Sequence, residues 1–171
     1  MVPLEGDPAS RARESAFRML ARREHSRAEL RFKLSARGFA DSLIDILLQD
    51  LQDERAQSDE RFAESLLSSR LRSGYGPRRI RLELKDKGVA SDLAERVVAG
   101  ADTEWDQVLT MLYDRKFGCS PIKNFKEWAR RAQYLQQRGF DTDAIRRIMG
   151  SWDRVGTDIN ENKAVEPETG V

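Results

Sequence analysis

Cysteine and histidine are nearly absent from this chain of 171 residues, each occurring once, as Cys119 and His25. That excludes a Cys/His metal site and a disulfide framework. The two share no neighbourhood in sequence, so a Cys–His nucleophile pair has little support. Long apolar runs are missing too. None approaches the ~20 residues that cross a bilayer, and Met1 to Ser10 has no apolar signal region. A single thiol without a signal segment points to the cytoplasm, with no membrane partner. Five acids, Asp50, Asp53, Glu54, Asp59 and Glu60, lie close in sequence but lack the Asp-x-Asp-x-Asp-Gly pattern of a calcium loop. No Gly-rich phosphate loop occurs. Nothing has the pattern of an active site, so the expectation is a non-enzyme without cofactor, metal or small-molecule substrate.

What the chain does have is charge and a repeat. Charged residues make up 35% and hydrophobic ones 39%, a balance that supports a folded core despite a net charge of only +1. Leu30, Leu34, Gly38 and Phe39 recur fifty residues later as Ile80, Leu84, Gly88 and Val89, and Leu43 and Leu47 recur as Leu93 and Val97. A third copy follows with Leu135, Gly139, Phe140, Ile145, Ile148 and Met149, although Arg131 stands where Leu30 and Ile80 do.

Each copy reads as three helices. In the first, Phe17, Leu20 and Ala21 mark helix one. Ser26 with Glu29 forms a capping box for helix two, Gly38 stops it, and Asp41 or Ser42 caps a helix carrying Ile44, Leu47, Leu48 and Leu51. In the second, Ser58 caps a helix with Phe62 and Leu66, Gly76-Pro77 opens the next, Gly88 ends it, and Ser91 caps the last. The third offers Thr103 before Trp105, Val108, Leu109 and Leu112, then Asn124 with Glu127, then Asp141. With no strand signal, the predicted fold is all-α: three tandem three-helix repeats in an elongated, curved array. The expected divisions are flexible tails over 1–10 and 156–171, and repeats over 11–56, 57–101 and 102–155. Glycines 38, 88 and 139 should have positive φ. Leu34, Leu84 and Leu135 should be buried in one continuous core, and Trp105, Trp128 and Trp152 should be core residues.

Charge follows the repeat. Residues 11–37 hold nine bases and three acids, 41–60 one base and seven acids, and 61–88 eight bases and three acids. Residues 89–106 hold one base and five acids, and 115–147 nine bases and three acids. Strong local patches therefore hide under a near-zero total, and a patch is what a polyanion meets. The sharpest runs from Arg70 to Arg81, with five arginines and no acid. Gly74, Gly76 and Pro77 present Arg78 and Arg79 at a helix start, where the dipole also favours an anion. The candidate partner-binding residues are Arg70, Arg72, Arg78, Arg79 and Lys85. The plainer reading is a solvated face on which Arg81 and Lys85 pair with acids such as Glu83. Tyr75 could stack on a base, but packing between helices suits a loop tyrosine better. His25 reads as a helix-boundary residue and Cys119 as incidental.

The second repeat also carries a likeness. Asp59-Glu-Arg-Phe-Ala63, Arg70, Gly74-Tyr-Gly-Pro77, Ile80, Glu83-Leu84 and Lys87-Gly88-Val89 closely resemble the RecX family of recombinase regulators. Ser26-Arg-Ala-Glu-Leu30 and Arg37-Gly-Phe39 extend the likeness upstream; Arg115-Lys-Phe-Gly118 and Leu135 with Gly139-Phe140 extend it downstream. It covers about residues 12–152. Gln57-Ser58 stands where the family often has an apolar residue and Asp, and the stretch after Gly156 has no family pattern. The resemblance implies a protein that binds RecA in the groove of its filament on DNA and inhibits or modulates recombination and co-protease activity. The partner residues named above are inferred from charge, not from the family. An independent helical DNA-binding protein, contacting single- or double-stranded DNA, is the alternative.

Overall fold

The structure, a computed structural model, describes residues 7–101, 105–118 and 120–153. Among these residues the chain is helical throughout, without a strand: α1 (Pro8–Leu20), α2 (Arg27–Ser35), α3 (Asp41–Asp53), α4 (Asp59–Arg72), α5 (Pro77–Asp86), α6 (Ser91–Ala99), α7 (Trp105–Phe117), α8 (Phe125–Gln137) and α9 (Thr142–Met149). Two compact units result. One joins the residues up to Ser69 with Arg81–Gly100, and the other joins Arg70–Ile80 with those from Ala101 on. Thr103, Cys119 and most of the expected tails lie outside the described residues.

The first repeat is closed around its own core, with α1, α2 and α3 packed on one another. Ala12, Ala16, Met19, Leu30, Leu34, Ile44, Leu47, Leu48 and Leu51 form one buried cluster drawn from this repeat. The inward face of α1 is rotated from its expected stripe. Ala12, Ala16 and Met19 are buried, Phe17 is 41% exposed with the Arg13 guanidinium 5.2 Å from its ring centroid, and Ala21 faces solvent. Alanines let α1 approach closely, and the arginine covers the displaced ring. The helix starts at Pro8, inside the stretch expected to be a tail, with proline in its first turn.

Five helix starts match expectation. Ser26 accepts a hydrogen bond from the Glu29 N–H at 3.0 Å, Asn124 from Glu127 at 2.9 Å and Asp141 from Ala144 at 2.7 Å. Ser58 accepts from Arg61 N–H at 3.3 Å, and Pro77 opens α5. Two starts differ. α3 and α6 begin after Ala40 and Ala90 with no side-chain cap, so Asp41 and Ser91 are first-turn residues instead. Gly38, Gly88 and Gly139 have φ of 83°, 75° and 98°, as expected of helix stops. Leu34, Leu84 and Leu135 are fully buried.

The tryptophans divide. Trp105 is buried, but Trp128 and Trp152 are only half-buried. Both pack on the exposed ring of Phe125, at centroid distances of 6.2 and 5.6 Å, and the Trp128 indole N–H donates to the Gly150 carbonyl at 3.1 Å.

Candidate interaction surface

The start of helix two in one repeat grips the end of helix two in the next, and this contact occurs twice. In the first unit the Ser26 hydroxyl donates to the Lys87 carbonyl at 2.6 Å. Glu29 then takes the Lys87 ammonium at 2.9 Å and the Arg23 guanidinium at 3.0 Å. A Cβ on Gly88 would lie 2.5 Å from the Ala28 Cβ, so the helices meet at a glycine. Burial would raise the Glu29 pKa, but hydrogen bonds from Arg23 and Lys87 outweigh it and hold it at about 2.

His25 adjoins this contact. Its Nδ1 donates to the Arg23 carbonyl at 3.0 Å and its Nε2 accepts from the Lys33 ammonium at 3.0 Å. Burial, with Arg23 and Lys33 nearby, lowers its pKa and keeps the ring neutral.

The second contact joins the same positions in other ways. The Gly76 N–H donates to the Arg138 carbonyl at 2.8 Å, and the Arg78 N–H to the Gly139 carbonyl at 3.1 Å. A Cβ on Gly76 would lie 2.6 Å from the Gly139 carbonyl, and one on Gly139 would lie 2.5 Å from the Arg79 nitrogen. Because main chain makes this joint, the side chains of its first turn are not consumed by it.

That fixes where the predicted residues go. Arg72, Arg78 and Arg79 are exposed and form no ion pair with the described residues. Arg70 is half-buried, 5.8 Å from the centroid of Tyr75. Lys85 is exposed but falls in the other unit, so the structure does not gather all five into one unit. The plainer reading holds for Arg81, which pairs with Glu95 at 2.8 Å rather than with Glu83, just as Arg31 pairs with Asp45 in the first repeat. Of the five clustered acids, Glu54 pairs with Arg13 and Asp59 accepts from the Arg27 N–H.

Sequence reasoning missed the neighbours of Tyr75. The Arg138 guanidinium lies 4.9 Å from the Tyr75 centroid and 5.2 Å from that of Tyr134, while Lys116 lies 5.6 Å from Tyr134. Tyr75 thus packs between arginines rather than standing open for a base. One sequence signal could have found Arg138: a base precedes the stop glycine in all three copies, as Arg37, Lys87 and Arg138.

Arg131, which looked like a defect of the third copy, is 2% exposed. It donates to the Tyr113 hydroxyl at 2.7 Å and the Ser120 carbonyl at 2.9 Å, and pairs with Glu127 at 2.5 Å. Burial opposes its charge, but the bonds to Glu127 and Tyr113 prevail and raise its pKa. Where the other copies place an apolar residue, the third places a buried cation held through its two terminal nitrogens, its Nε having no partner among the described residues.

Tandem three-helix units, joined through the ends of their second helices and presenting unpaired arginines beside one joint, define a helical-repeat protein built around contact surfaces. Among the described residues no group of His, Cys, Asp and Glu could hold a metal ion, and no helix is long and apolar enough to cross a membrane. The chain belongs to the RecX family. The family's first, second and third three-helix domains match residues 12–51, 58–98 and 102–149. It is 40% identical over 142 residues to the regulatory protein RecX of Chromohalobacter salexigens, covering 82% of this chain and 93% of that one. Identity to the regulatory protein RecX of Pseudomonas savastanoi pv. phaseolicola is 40% over 149 residues, covering 86% and 96%. The fold is shared with the crystal structure of RecX from Lactobacillus salivarius, at a TM-score of 0.68 and 20% identity over 91% of this chain and 98% of that one.

Proposed function

We propose that this chain is a non-enzymatic cytoplasmic regulator that binds RecA in the groove of its filament on DNA. There it inhibits or modulates the recombinase, ATPase and co-protease activities of RecA. Family membership supports the partner. The observation that carries the contact surface is the exposure of Arg72, Arg78 and Arg79 without an ion pair among the described residues. Arginines left free at a helix start suit either DNA phosphates or acidic RecA side chains. Arg70, set against Tyr75, and Lys85 on α5 complete the proposed contact set. Repeats over 11–56, 57–101 and 102–155 offer equivalent surfaces to the repeated protomers of a filament.

The test is RecA-dependent ATP hydrolysis on single-stranded DNA, with and without the chain. Wild type should lower the rate. Arg78→Glu/Arg79→Glu should weaken that inhibition strongly, because two attractions become repulsions. Lys126→Glu/Arg130→Glu, an exposed pair on α8, should do less. A folded Arg78→Glu/Arg79→Glu chain that inhibits at the wild-type concentration removes these contact residues but leaves the RecA reading. A wild type that binds DNA without RecA, with a steep salt dependence, would establish the independent DNA-binding alternative instead.

A further inference from the structure

The helix-two contact is directional, so a chain with three copies leaves one acceptor unfilled. The ends of α5 and α8, at Lys87–Gly88 and Arg138–Gly139, each receive the first turn of another helix. The end of α2, at Arg37–Gly38, has the same build and receives none of the described helices. Gly38 has the same positive φ, yet a Cβ there would meet nothing within 4 Å. The Arg37 carbonyl, equivalent to those of Lys87 and Arg138, takes no hydrogen bond from the described residues. A groove of about 600 Å³ opens beside this end, lined by Arg22, Lys33, Arg37 and the 75% exposed Phe32.

We propose that this end of α2 is a docking site for the N-terminal turn of a helix from a partner protein, with a carboxylate in that turn. The filled acceptor of the first unit supplies the template: a capping hydroxyl on the carbonyl, a small residue against the glycine, and a carboxylate on the base, as Ser26, Ala28 and Glu29 provide. At the open end the base is Arg37, whose guanidinium rests on the Met19 thioether at 3.0 Å, a weak acceptor that a carboxylate would displace. Arg22 and Lys33 add to the positive field. A second copy of this chain fits poorly: the helix start it would offer is α8, whose first-turn Glu127 is already paired with Arg131 at 2.5 Å, where Lys126 takes the place of the small Ala28, and which Lys123 and Arg130 flank. Basic would then meet basic. The inference rests on the repeat geometry and stands whether or not RecA is the partner.

The probe is a short stapled helix opening Ser-Glu-Ala-Glu, titrated into the ¹⁵N-labelled full chain; the control helix opens Ser-Lys-Ala-Lys. Saturable shifts at Ala36, Arg37 and Gly38 with the acidic helix only are expected. Arg22→Glu/Arg37→Glu, both solvent-facing, should weaken them about tenfold or more. Ala36→Trp should block the site without changing a charge, and circular dichroism checks that both variants fold. Absent or unsaturable shifts, an equal response to the basic helix, or unchanged binding by both folded variants would overturn the site. So would Gly38 shifts produced by raising the chain's own concentration, which would assign this end to a second copy.

Discussion

The two helix-two contacts solve one problem with different chemistry. The contact at Lys87–Gly88 is made by side chains: a serine hydroxyl and a glutamate, with Arg23 drawn in. The one at Arg138–Gly139 is made by main-chain N–H groups, with glycine facing glycine at Gly76 and Gly139. The first consumes its polar side chains and gains a pH-sensitive lock. The second tolerates no Cβ at its centre but leaves Arg78 and Arg79 pointing at solvent. The cationic segment is thus exposed because backbone does the joining beneath it.

The largest effect expected from breaking this pattern is at Gly139. Gly139→Ala adds a Cβ 2.5 Å from the Arg79 nitrogen and strains a residue at φ 98°, so it should cost about 2–5 kcal/mol in urea unfolding. Gly38→Ala shares the positive φ but meets open space, and should cost only about 1–2 kcal/mol. Equal losses would mean that the joint is looser than its geometry indicates.

Next comes Ser26→Ala, which removes both the α2 cap and the bond to the Lys87 carbonyl. A loss of about 1–3 kcal/mol is expected. Ser58→Ala, a cap whose side chain accepts, among the described residues, the longer bond from Arg61, should lose less.

Such contrasts mark where the sequence was readable. The glycine stops, the caps at Ser26, Asn124 and Asp141, and the buried Leu34, Leu84 and Leu135 are local or periodic signals, and each was legible. The joints were not. Ser26 and Lys87 are far apart in sequence, and no local pattern announces that a cap hydroxyl will also reach a distant carbonyl. The face of α1 was misjudged because Ala12 and Ala16 carry little hydropathy, while Phe17 looks like a core residue until Arg13 covers it. Arg131 broke the apolar register, yet it is buried through partners on other elements. Of the candidate site, the exposed Arg72, Arg78 and Arg79 were legible from charge. Arg138, Tyr134 and Lys116 were not, since they reach Tyr75 and one another only through the fold.

Acid should separate the two joints further. The folded pKa of Glu29 lies below its ordinary 4.5, so its stabilisation is complete above that value and is lost as pH falls toward about 2. His25, also lowered, starts to disfavour the fold once pH drops below its ordinary 6.5, as its buried ring must take up charge beside Arg23 and Lys33, which the bond to the Arg23 carbonyl and the Glu29 carboxylate offset only in part. Amide protection at Glu29 and Gly88 should therefore fall in acid before that at Gly76 and Arg78, whose joint holds no carboxylate. His25→Asn should remove the part of the loss that begins near 6.5. Parallel loss at both joints would show that acid acts on the whole fold.

The smallest effect on stability is expected where the second joint frees its side chains. Arg78→Glu/Arg79→Glu leaves the Arg78 N–H on the Gly139 carbonyl, because that bond is main chain. Both side chains are exposed, so the change should stay within about 0.5 kcal/mol of wild type. Acids also suit a helix's first turn, which can offset part of any loss. At the equivalent place in the first joint, Glu29→Arg should cost clearly more, since it sets a third cation against Arg23 and Lys87. The comparison needs only two melting curves beside wild type. If reversing 78 and 79 cost as much as reversing 29, the arginines would be part of the joint, and their exposure could not be read as a surface kept for a partner.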